Sequence, residues 1–478
     1  MRPRLSLTVA GLFAASGCAS GWQLTLDPAR FPNQRPVRPA DVVTLVVRDD
    51  DGARWLPLGV GADRRWVLAD VDPLEGDRLG LLIQAPDADP ERLDPAVLQA
   101  WGESAPVVGE KGVLVATLAL AAFGAPGSLR PLDSPAAGAA TAMSADGQTW
   151  LFGGADATIQ RLADPDSGAR SFTTAGDLVD ADGDGSPDPT VGAAAVALPD
   201  GQILVTGGGA APGQRSDRAA RFDPSDPAWT PVGPLTRPRA GHLAWALPNG
   251  PVVLVGGDGE AAPTWEVDTG GGFEDRGPLP LGPAGFAGAE ITGGLLLCGG
   301  LAVEPVATCV RIAGDVANPA APLPVPLHAH TLVGLTDGRV LALGGLTGAC
   351  PDGLPCWASS RAFVYGPADA WVEVGPMSRP RAGAAAVTTP DGRAVVLGGA
   401  EALAPVVDPV DCPEVFDGLA FTPRGPCHAA LRGVAPIVAF HPDHGAVVVA
   451  GYTEEDDGGV EAAFVSTGPP AAVANGDP

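Results

Sequence analysis

The sequence predicts an all-β fold of the propeller type, in which small sheets form a ring, with a small β-sandwich in front of it. The main observation is a pair of adjacent glycines that returns six times, at intervals of 43 to 54 residues, and closes a short apolar run each time. A recurring interval in this range indicates a chain built from one repeated β unit. The pairs begin at Gly153, Gly207, Gly256, Gly299, Gly344 and Gly398.

Each repeat is expected to form four antiparallel strands. The apolar runs before the glycine pairs, such as Val252 to Val255, are too short for helices and rich in β-branched residues, as buried strands are. Turn dipeptides such as Asp200-Gly201 precede most of these runs and predict a hairpin between strands 1 and 2. Because one such sheet cannot bury both of its faces alone, the repeats must stack, and radial stacking protects their edges.

The repeats resemble those of the kelch-repeat β-propellers. The shared features are the glycine pair after strand 2, an aromatic residue in strand 3 such as Phe222, a tryptophan in strand 4 such as Trp229, and a Pro-Arg link to the next repeat. The link is present at 237–241 and 379–383. The fourth repeat departs from the pattern because it lacks the tryptophan. The resemblance implies a propeller domain over 137–467.

Seven blades are predicted, with six as the alternative. A seventh strand pair at Val434 to Phe440 and Ala446 to Ala450 is followed by a third strand at Glu461 to Ser466, but by no fourth strand. A strand at Gly127 to Leu132, within a linker over 123–136, is therefore expected to complete this blade and close the ring.

The front of the chain predicts export and a lipid anchor. Arg2 and Arg4 precede an apolar stretch from Leu5 to Ala15, and small residues follow before Cys18. This order is typical of a secretory signal, here over 1–17. The cysteine makes it resemble a bacterial lipoprotein signal, which implies a lipid on Cys18 and, by analogy, a place at the outer membrane. The alternative is an ordinary signal peptide with an incidental cysteine.

Two further segments flank the propeller. Residues 18–122 contain several strand-like runs separated by polar turns, which favours a small β-sandwich of immunoglobulin type that spaces the propeller from the anchor. Residues 468–478 are rich in Pro, Ala and Gly and are expected to be a disordered tail.

The six cysteines after Cys18 are expected to pair as near neighbours, because exported chains meet an oxidising environment. The first pair would join two adjacent strands, and the other two would each clip a loop. A zinc site is the alternative, although the spacing lacks two close pairs of ligands. The expected pairs are Cys298 with Cys309, Cys350 with Cys356, and Cys412 with Cys427.

An aspartate-rich stretch between the first two repeats predicts a calcium site. Asp180, Asp182, Asp184 and Asp188 surround glycines, and oxygen donors at alternate positions can converge on one cation. The glutamate that closes a calcium loop is missing, so a solvated acidic turn is the alternative. No other cofactor is expected.

The histidines could belong to a metal site at the mouth of the central channel. His328 and His330 are two apart on one strand, so both point to the same face. His242 occupies a position that is common in kelch repeats, where a structural role is expected. A structural role is favoured for all of them.

The propeller geometry places the loops between strands 2 and 3, and the links between strands 4 and 1, on one face. Unusual insertions lie on this face at Gly209 to Asp217, Thr347 to Ala358 and Glu401 to Asp411. Loops on a rigid scaffold usually carry function. The ligand-binding site is therefore predicted on this face, together with the mouth of the channel.

The resemblance implies a protein- or glycan-binding module of the cell envelope, expected to be a monomer without catalytic residues. The alternative is a carbohydrate-active enzyme or an epimerase with a site at the channel mouth. A copper radical oxidase needs two tyrosine ligands, whereas only Tyr365 and Tyr452 are present, and Tyr365 matches the structural aromatic of strand 3. A net charge of −27, with Lys111 as the single lysine, excludes a nucleic-acid partner.

Overall fold

The structure is a computed structural model in which all the regular structure of the described residues is β-strand. Within the described ranges there is therefore no helix long and apolar enough to span a membrane. The structure describes residues 5–7, 21–26, 42–49, 52–57, 59–60, 66–67, 78–84, 98–103, 108–110, 113–118, 121–122, 126–128, 139–144, 148–154, 158–162, 172–178, 190–247, 251–349, 356–389, 392–402, 408–423, 437–441, 445–451 and 461–465.

The strands before residue 123 form two sheets and a short hairpin. One sheet contains, in spatial order, Leu5–Leu7, Gly21–Leu26, Val113–Leu118 and Val108–Glu110. The other contains Ala121–Ala122, Leu98–Glu103, Arg78–Gln84, Val42–Asp49 and Gly52–Pro57. Gly59–Val60 pairs with Trp66–Val67. Sheets within 18–122 agree with the all-β prediction, and their packing as an immunoglobulin-like sandwich stays a prediction.

Six blades follow, and in each the strands pair in chain order. Blade 1 consists of Ala140–Met143, Thr149–Phe152, Thr158–Leu162 and Phe172–Asp177. Blade 2 consists of Val191–Ala197, Ile203–Gly209, Ala219–Asp223 and Ala228–Pro231. Blade 3 consists of Leu243–Ala246, Val252–Val255, Thr264–Asp268 and Phe273–Pro278. Blade 4 consists of Ala287–Ile291, Gly294–Cys298, Cys309–Ala313 and Val316–Ala320. Blade 5 consists of Thr331–Gly334, Val340–Leu343, Ala362–Gly366 and Ala370–Val374. Blade 6 consists of Ala382–Thr388, Ala394–Ala402, Glu414–Phe416 and Phe421–Pro423. In blade 6 a short strand, Asp408–Pro409, also pairs with strand 2.

The glycine pairs allow the chain to pass close to the link that enters the same blade. In blade 3, Gly256 and Gly257 have φ values of +73° and +70°, a region that side chains disfavour. A Cβ atom on Gly257 would lie 2.6 Å from the carbonyl oxygen of Ala240 and 2.8 Å from the nitrogen of His242. The recurring glycine is therefore required by both the backbone conformation and the lack of space.

The cores lie between blades, as the stacking argument predicts. The aliphatic cluster between blades 3 and 4 combines Val253 and Trp265 from one sheet with Leu295 and Val310 from the next. Strand 4, by contrast, is largely exposed, for example in blade 2. Each blade thus covers its neighbour, which is how four-stranded sheets of this size exclude water.

Aromatic residues strengthen the contact between blades 1 and 2. The Phe222 ring lies 5.0 Å from that of Trp150 and 5.3 Å from that of Phe152 on blade 1, in edge-on geometry. It also lies 5.1 Å from Trp229 of its own blade. The strand 3 aromatic residue and the strand 4 tryptophan of the repeat are therefore packing residues.

Both ends of the chain contribute to a further four-stranded sheet. Its strands are, in spatial order, Pro126–Ser128, Glu461–Val465, Gly445–Gly451 and Ile437–His441. Pro126–Ser128 pairs antiparallel with the strand that ends at Val465. Ile437–His441 contacts strand 1 of blade 6 and strand 1 of blade 1. The described residues form six consecutive blades, so the prediction of seven is wrong and the alternative of six is confirmed. The strands expected to form a seventh repeat belong to this further sheet of mixed origin, which lies between the last blade and the first.

Candidate functional site on the loop face

The two faces of the propeller carry different connections between strands. The loops between strands 2 and 3 and the links between blades lie on one side, called here the loop face. The turns between strands 1 and 2 and between strands 3 and 4 lie on the opposite side, the hairpin face. On the loop face the main chain is tied across blades, because Gly208 donates to the carbonyl of Arg239 at 2.8 Å and Gly345 donates to that of Arg381 at 2.7 Å.

The link between blades 2 and 3 is held by a buried ion pair. Arg239 is fully buried, and its Nε donates to Glu266 at 2.5 Å while its Nη1 donates to the carbonyl of Gly256 at 2.6 Å. The second oxygen of Glu266 accepts from the backbone nitrogen and the hydroxyl of Thr236, at 2.8 and 2.6 Å. The pair is therefore both neutralised and hydrogen-bonded, as buried charges must be.

The same arrangement returns at the link between blades 5 and 6. Arg381 donates to Glu414 at 2.9 Å and to the carbonyl of Gly398 at 2.8 Å, and the nitrogen of Ser378 donates to Glu414 at 2.7 Å. Burial lowers the pKa of Arg381, against the opposing effect of Glu414. The Pro-Arg link of the repeat is thus a structural device, and its second arginine is not available to a ligand.

The predicted histidines have structural positions. His242 is buried, and its Nε2 lies 2.8 Å from the hydroxyl of Thr206 on the preceding blade. His328 Nε2 lies 3.0 Å from the carbonyl oxygen of Gly348. Burial lowers the pKa values of both His242 and His330 to about 3, with smaller contributions from Arg239 and His328, respectively. Among the described residues, no group of three or more His, Cys, Asp or Glu side chains could hold a metal ion.

One predicted disulfide is confirmed. Cys298 and Cys309 are register partners on strands 2 and 3 of blade 4 and are joined by a disulfide. Cys356 and Cys412 are also disulfide-bonded. Their predicted partners lie outside the described residues, as do the predicted lipid and calcium sites. These residues are Cys18, Asp180, Asp182, Asp184, Asp188, Cys350 and Cys427.

An exposed tryptophan marks the predicted binding face. Trp357, in the strand 2–3 loop of blade 5, is 67% exposed although the backbone around it is ordered by strand-like pairing. It forms a bridge with Ala402 of blade 6, and the nitrogen of Ala358 donates to the carbonyl of Glu401 at 2.8 Å. An indole held in this way is presented to solvent by the contact between two blades.

Charged groups lie on the segment around Ala402, the bridge partner of Trp357. Arg379 Nε donates to the Glu401 carboxylate at 2.5 Å, and this bond is the main reason why the pKa of Arg379 is raised. Asp408 and Asp411 lie near enough to raise the same pKa further. We call the surface formed by Trp357, Arg379, Glu401, Asp408 and Asp411 the Trp357 patch. It offers an aromatic face for stacking beside hydrogen-bond donors and acceptors.

The sequence predicted the loops of this patch but not its central residue. The insertions at Thr347 to Ala358 and Glu401 to Asp411 were expected on the binding face, and both contribute. Trp357 could have been noticed as a tryptophan in a loop rich in Gly, Pro and Cys, away from any strand 4. No protein-family model matches the chain, and no curated protein matches it either. The function is therefore argued from the geometry of the patch.

Proposed function

We propose that the chain is a binding module that docks a protein or a glycan on its loop face, with the Trp357 patch as the contact. The observation that carries this proposal is the 67% exposure of Trp357 at a position where the main chain pairs with blade 6. Tryptophan and arginine are enriched among the residues that dominate binding energy at protein interfaces. A flat aromatic ring flanked by carboxylates suits the apolar face and hydroxyl groups of a sugar equally well.

The rigidity of the patch supports this role. The Trp357–Ala402 bridge and the Arg379–Glu401 ion pair already join blades 5 and 6 without a ligand. The buried Arg381–Glu414 pair fixes the link that carries Arg379. Because the surface is ordered before binding, docking loses little conformational entropy, which favours affinity.

We further propose a kelch-type propeller anchored to the bacterial envelope, at the outer membrane, through a lipid on Cys18. The support is the signal-like start and the repeat pattern of the sequence. Calcium at Asp180, Asp182, Asp184 and Asp188 is proposed on the same basis. The stretch lies between blades 1 and 2 at a strand 4–1 link, so a bound cation would order the loop face.

The further sheet is proposed to close the ring between blade 6 and blade 1. The support is its mixed origin, because its outer strand comes from Pro126–Ser128 and its other three strands come from the other end of the propeller. Its strand Ile437–His441 contacts strand 1 of blade 1 and strand 1 of blade 6, which favours this position. Closure of this kind joins the ends of a ring without an open edge.

A non-catalytic role is proposed in preference to a carbohydrate-active enzyme or an epimerase. On the described part of the loop face, Arg239 and Arg381 are engaged in buried ion pairs. His242 and His330 are buried, and their pKa values near 3 keep them neutral at ordinary pH. A site for acid–base chemistry would need such groups to face a substrate.

The test is capture of ligands by the purified chain and by Trp357→Ala. Both are used to pull down proteins from bacterial envelope extracts and to probe a glycan array. Trp357→Ala is expected to bind at least tenfold more weakly to whatever the parent retains. Val372→Ala is the matched control, because Val372 is 63% exposed on the outer strand of blade 5. Equal capture by the parent chain and Trp357→Ala would refute the assignment of the patch.

A further inference from the structure

A cavity on the hairpin face has no role in the function proposed above. It has a volume of about 640 Å³ and lies where the turns of blades 2, 3 and 4 meet. Its aliphatic walls come from Leu198 of blade 2 and from Val252 and Val267 of blade 3. None of the described residues that line it is aromatic, so they offer no surface for stacking a sugar ring or a nucleobase.

A nearly buried carboxylate faces this cavity. Asp268, at the end of strand 3 of blade 3, is only 6% exposed. Its Oδ1 accepts a hydrogen bond from the nitrogen of Gly270 at 2.8 Å. Its Oδ2 accepts none from the described residues, and its single ion pair, to Arg221 Nη2, is 3.6 Å long. This oxygen can therefore accept a hydrogen bond from a ligand that enters the cavity.

A donor without an acceptor lies on the same cavity. The Nε of Arg276, on strand 4 of blade 3, is buried and has no hydrogen-bond partner in the described part of the chain. The other end of this side chain is occupied, because its Nη2 lies 3.0 Å from Glu274 and 3.6 Å from Asp315 of blade 4. Because this Nε is shielded from solvent and the rest of the guanidinium is engaged, a ligand that fits must donate to Asp268.

The net charge of the cavity walls indicates the charge of the ligand that they favour. Three aspartates line the cavity against two arginines, which leaves an excess of negative charge, and the whole chain carries −27. A cationic group is therefore favoured over an anion. The lining residues with charge are Asp200, Asp268, Asp315, Arg221 and Arg276.

We propose that this cavity binds a lysine side chain presented by a peptide segment of a partner protein. The ammonium donates to Asp268 Oδ2, and the four-carbon stem packs against Val252 and Val267. The site is on the opposite face from the Trp357 patch and does not depend on it.

The first measurement is calorimetric titration of the full chain with two probes. Nα-acetyl-lysine N-methylamide carries the stem, the ammonium and the peptide carbonyls. Nα-acetyl-norleucine N-methylamide keeps the stem and carbonyls but has no charge. Saturable binding of the lysine probe, at least tenfold tighter than that of the norleucine probe, is expected. No saturable binding, or equal binding of the two probes, overturns the proposal.

The second measurement uses matched variants. Asp268→Asn is expected to weaken the lysine probe at least tenfold. Asp223→Asn is the control, because Asp223 ends strand 3 of blade 2 as Asp268 ends that of blade 3, and it accepts from the nitrogen of Ser225 at 2.9 Å. Unchanged binding in Asp268→Asn, or equal loss in both variants, overturns the site.

Two further variants keep the test decisive. If Asp268→Asn does not fold, Asp315→Asn replaces it, and it is expected to weaken the lysine probe severalfold because the cavity loses a negative charge; an unchanged affinity counts against the site. Trp357→Ala is expected to leave the affinity for the lysine probe unchanged. A failure of the loop-face proposal is thereby separated from a failure of this one.

Discussion

At the scale of single residues, the links between blades depend on charged side chains that are buried. The Arg381–Glu414 pair is buried and ties a link to strand 3 of the next blade. Such a pair contributes little compared with an apolar substitute, but removing one partner leaves a buried charge without compensation. The free energy of unfolding that is lost on removing one partner is therefore large, although the intact pair is not a strong stabiliser.

Glu414→Gln is accordingly expected to lower the free energy of unfolding by about 3 to 5 kcal/mol. Urea unfolding followed by tryptophan fluorescence measures it. Glu373→Gln is the control, because Glu373 pairs with Arg361 at 2.8 Å on an exposed strand, and it is expected to change stability little. Equal effects of the two substitutions would show that burial of the first pair is unimportant.

The buried histidines predict how stability depends on pH. The folded-state pKa values of His242 and His330 are lowered to about 3, whereas an unfolded histidine titrates near 6.5. Between these values the unfolded chain binds more protons, so stability is fully present above pH 6.5 and is lost progressively as the pH falls towards 3.

His330→Phe should therefore reduce the loss of unfolding free energy between pH 7 and pH 5 by about 2 kcal/mol. Urea unfolding at the two pH values measures the difference. His328 is the other titratable group noted beside this ring, and it remains in both proteins. An identical loss in parent and variant would mean that His330 titrates in the fold as it does in the unfolded chain.

At the scale of the elements, strands are predictable where their signal is local. Val252–Val255 was expected from its apolar run and its turn signals, and the structure forms that strand. The Cys298–Cys309 pair was also predictable, because the two residues are only 11 apart and fall on adjacent strands. In both instances the determining contacts lie within one repeat.

Contacts between repeats could not be predicted from the sequence. Arg239 was recognised as part of a link, but its partner Glu266 is 27 residues away in the next blade and carries no mark of the pairing. Trp357 was overlooked for a related reason. Its exposure depends on the bridge to Ala402, which is a contact between blades and not a property of the loop sequence.

The disulfide of blade 4 gives a prediction at this scale. The combined substitutions Cys298→Ala and Cys309→Ala are expected to lower the free energy of unfolding by about 3 kcal/mol, since the cross-link restricts a short loop in the unfolded chain. Calorimetry of the parent and the double variant measures it. A double variant as stable as the parent would show that the cross-link adds nothing to the packing of strands 2 and 3.

At the scale of the whole molecule, the central claim is that the sheets form a closed ring. Each blade covers its neighbour, so an open ring would expose the cores of its first and last sheets. The pairing of Pro126–Ser128 with the strand from Glu461 to Val465 is the contact that removes this exposure. The rigid loop face, and with it the Trp357 patch, depends on that closure.

Cross-linking of this pair of strands tests the claim most directly. Gly127 and Phe464 are register partners, so the double variant Gly127→Cys, Phe464→Cys should form an intramolecular disulfide on mild oxidation. Gly127→Cys with Ala462→Cys is the control, because it is out of register by two residues. Peptide mapping by mass spectrometry should find the cross-link in the first variant and not in the second. Absence of the bond in the first variant, or equal yields in both, would contradict the closed ring.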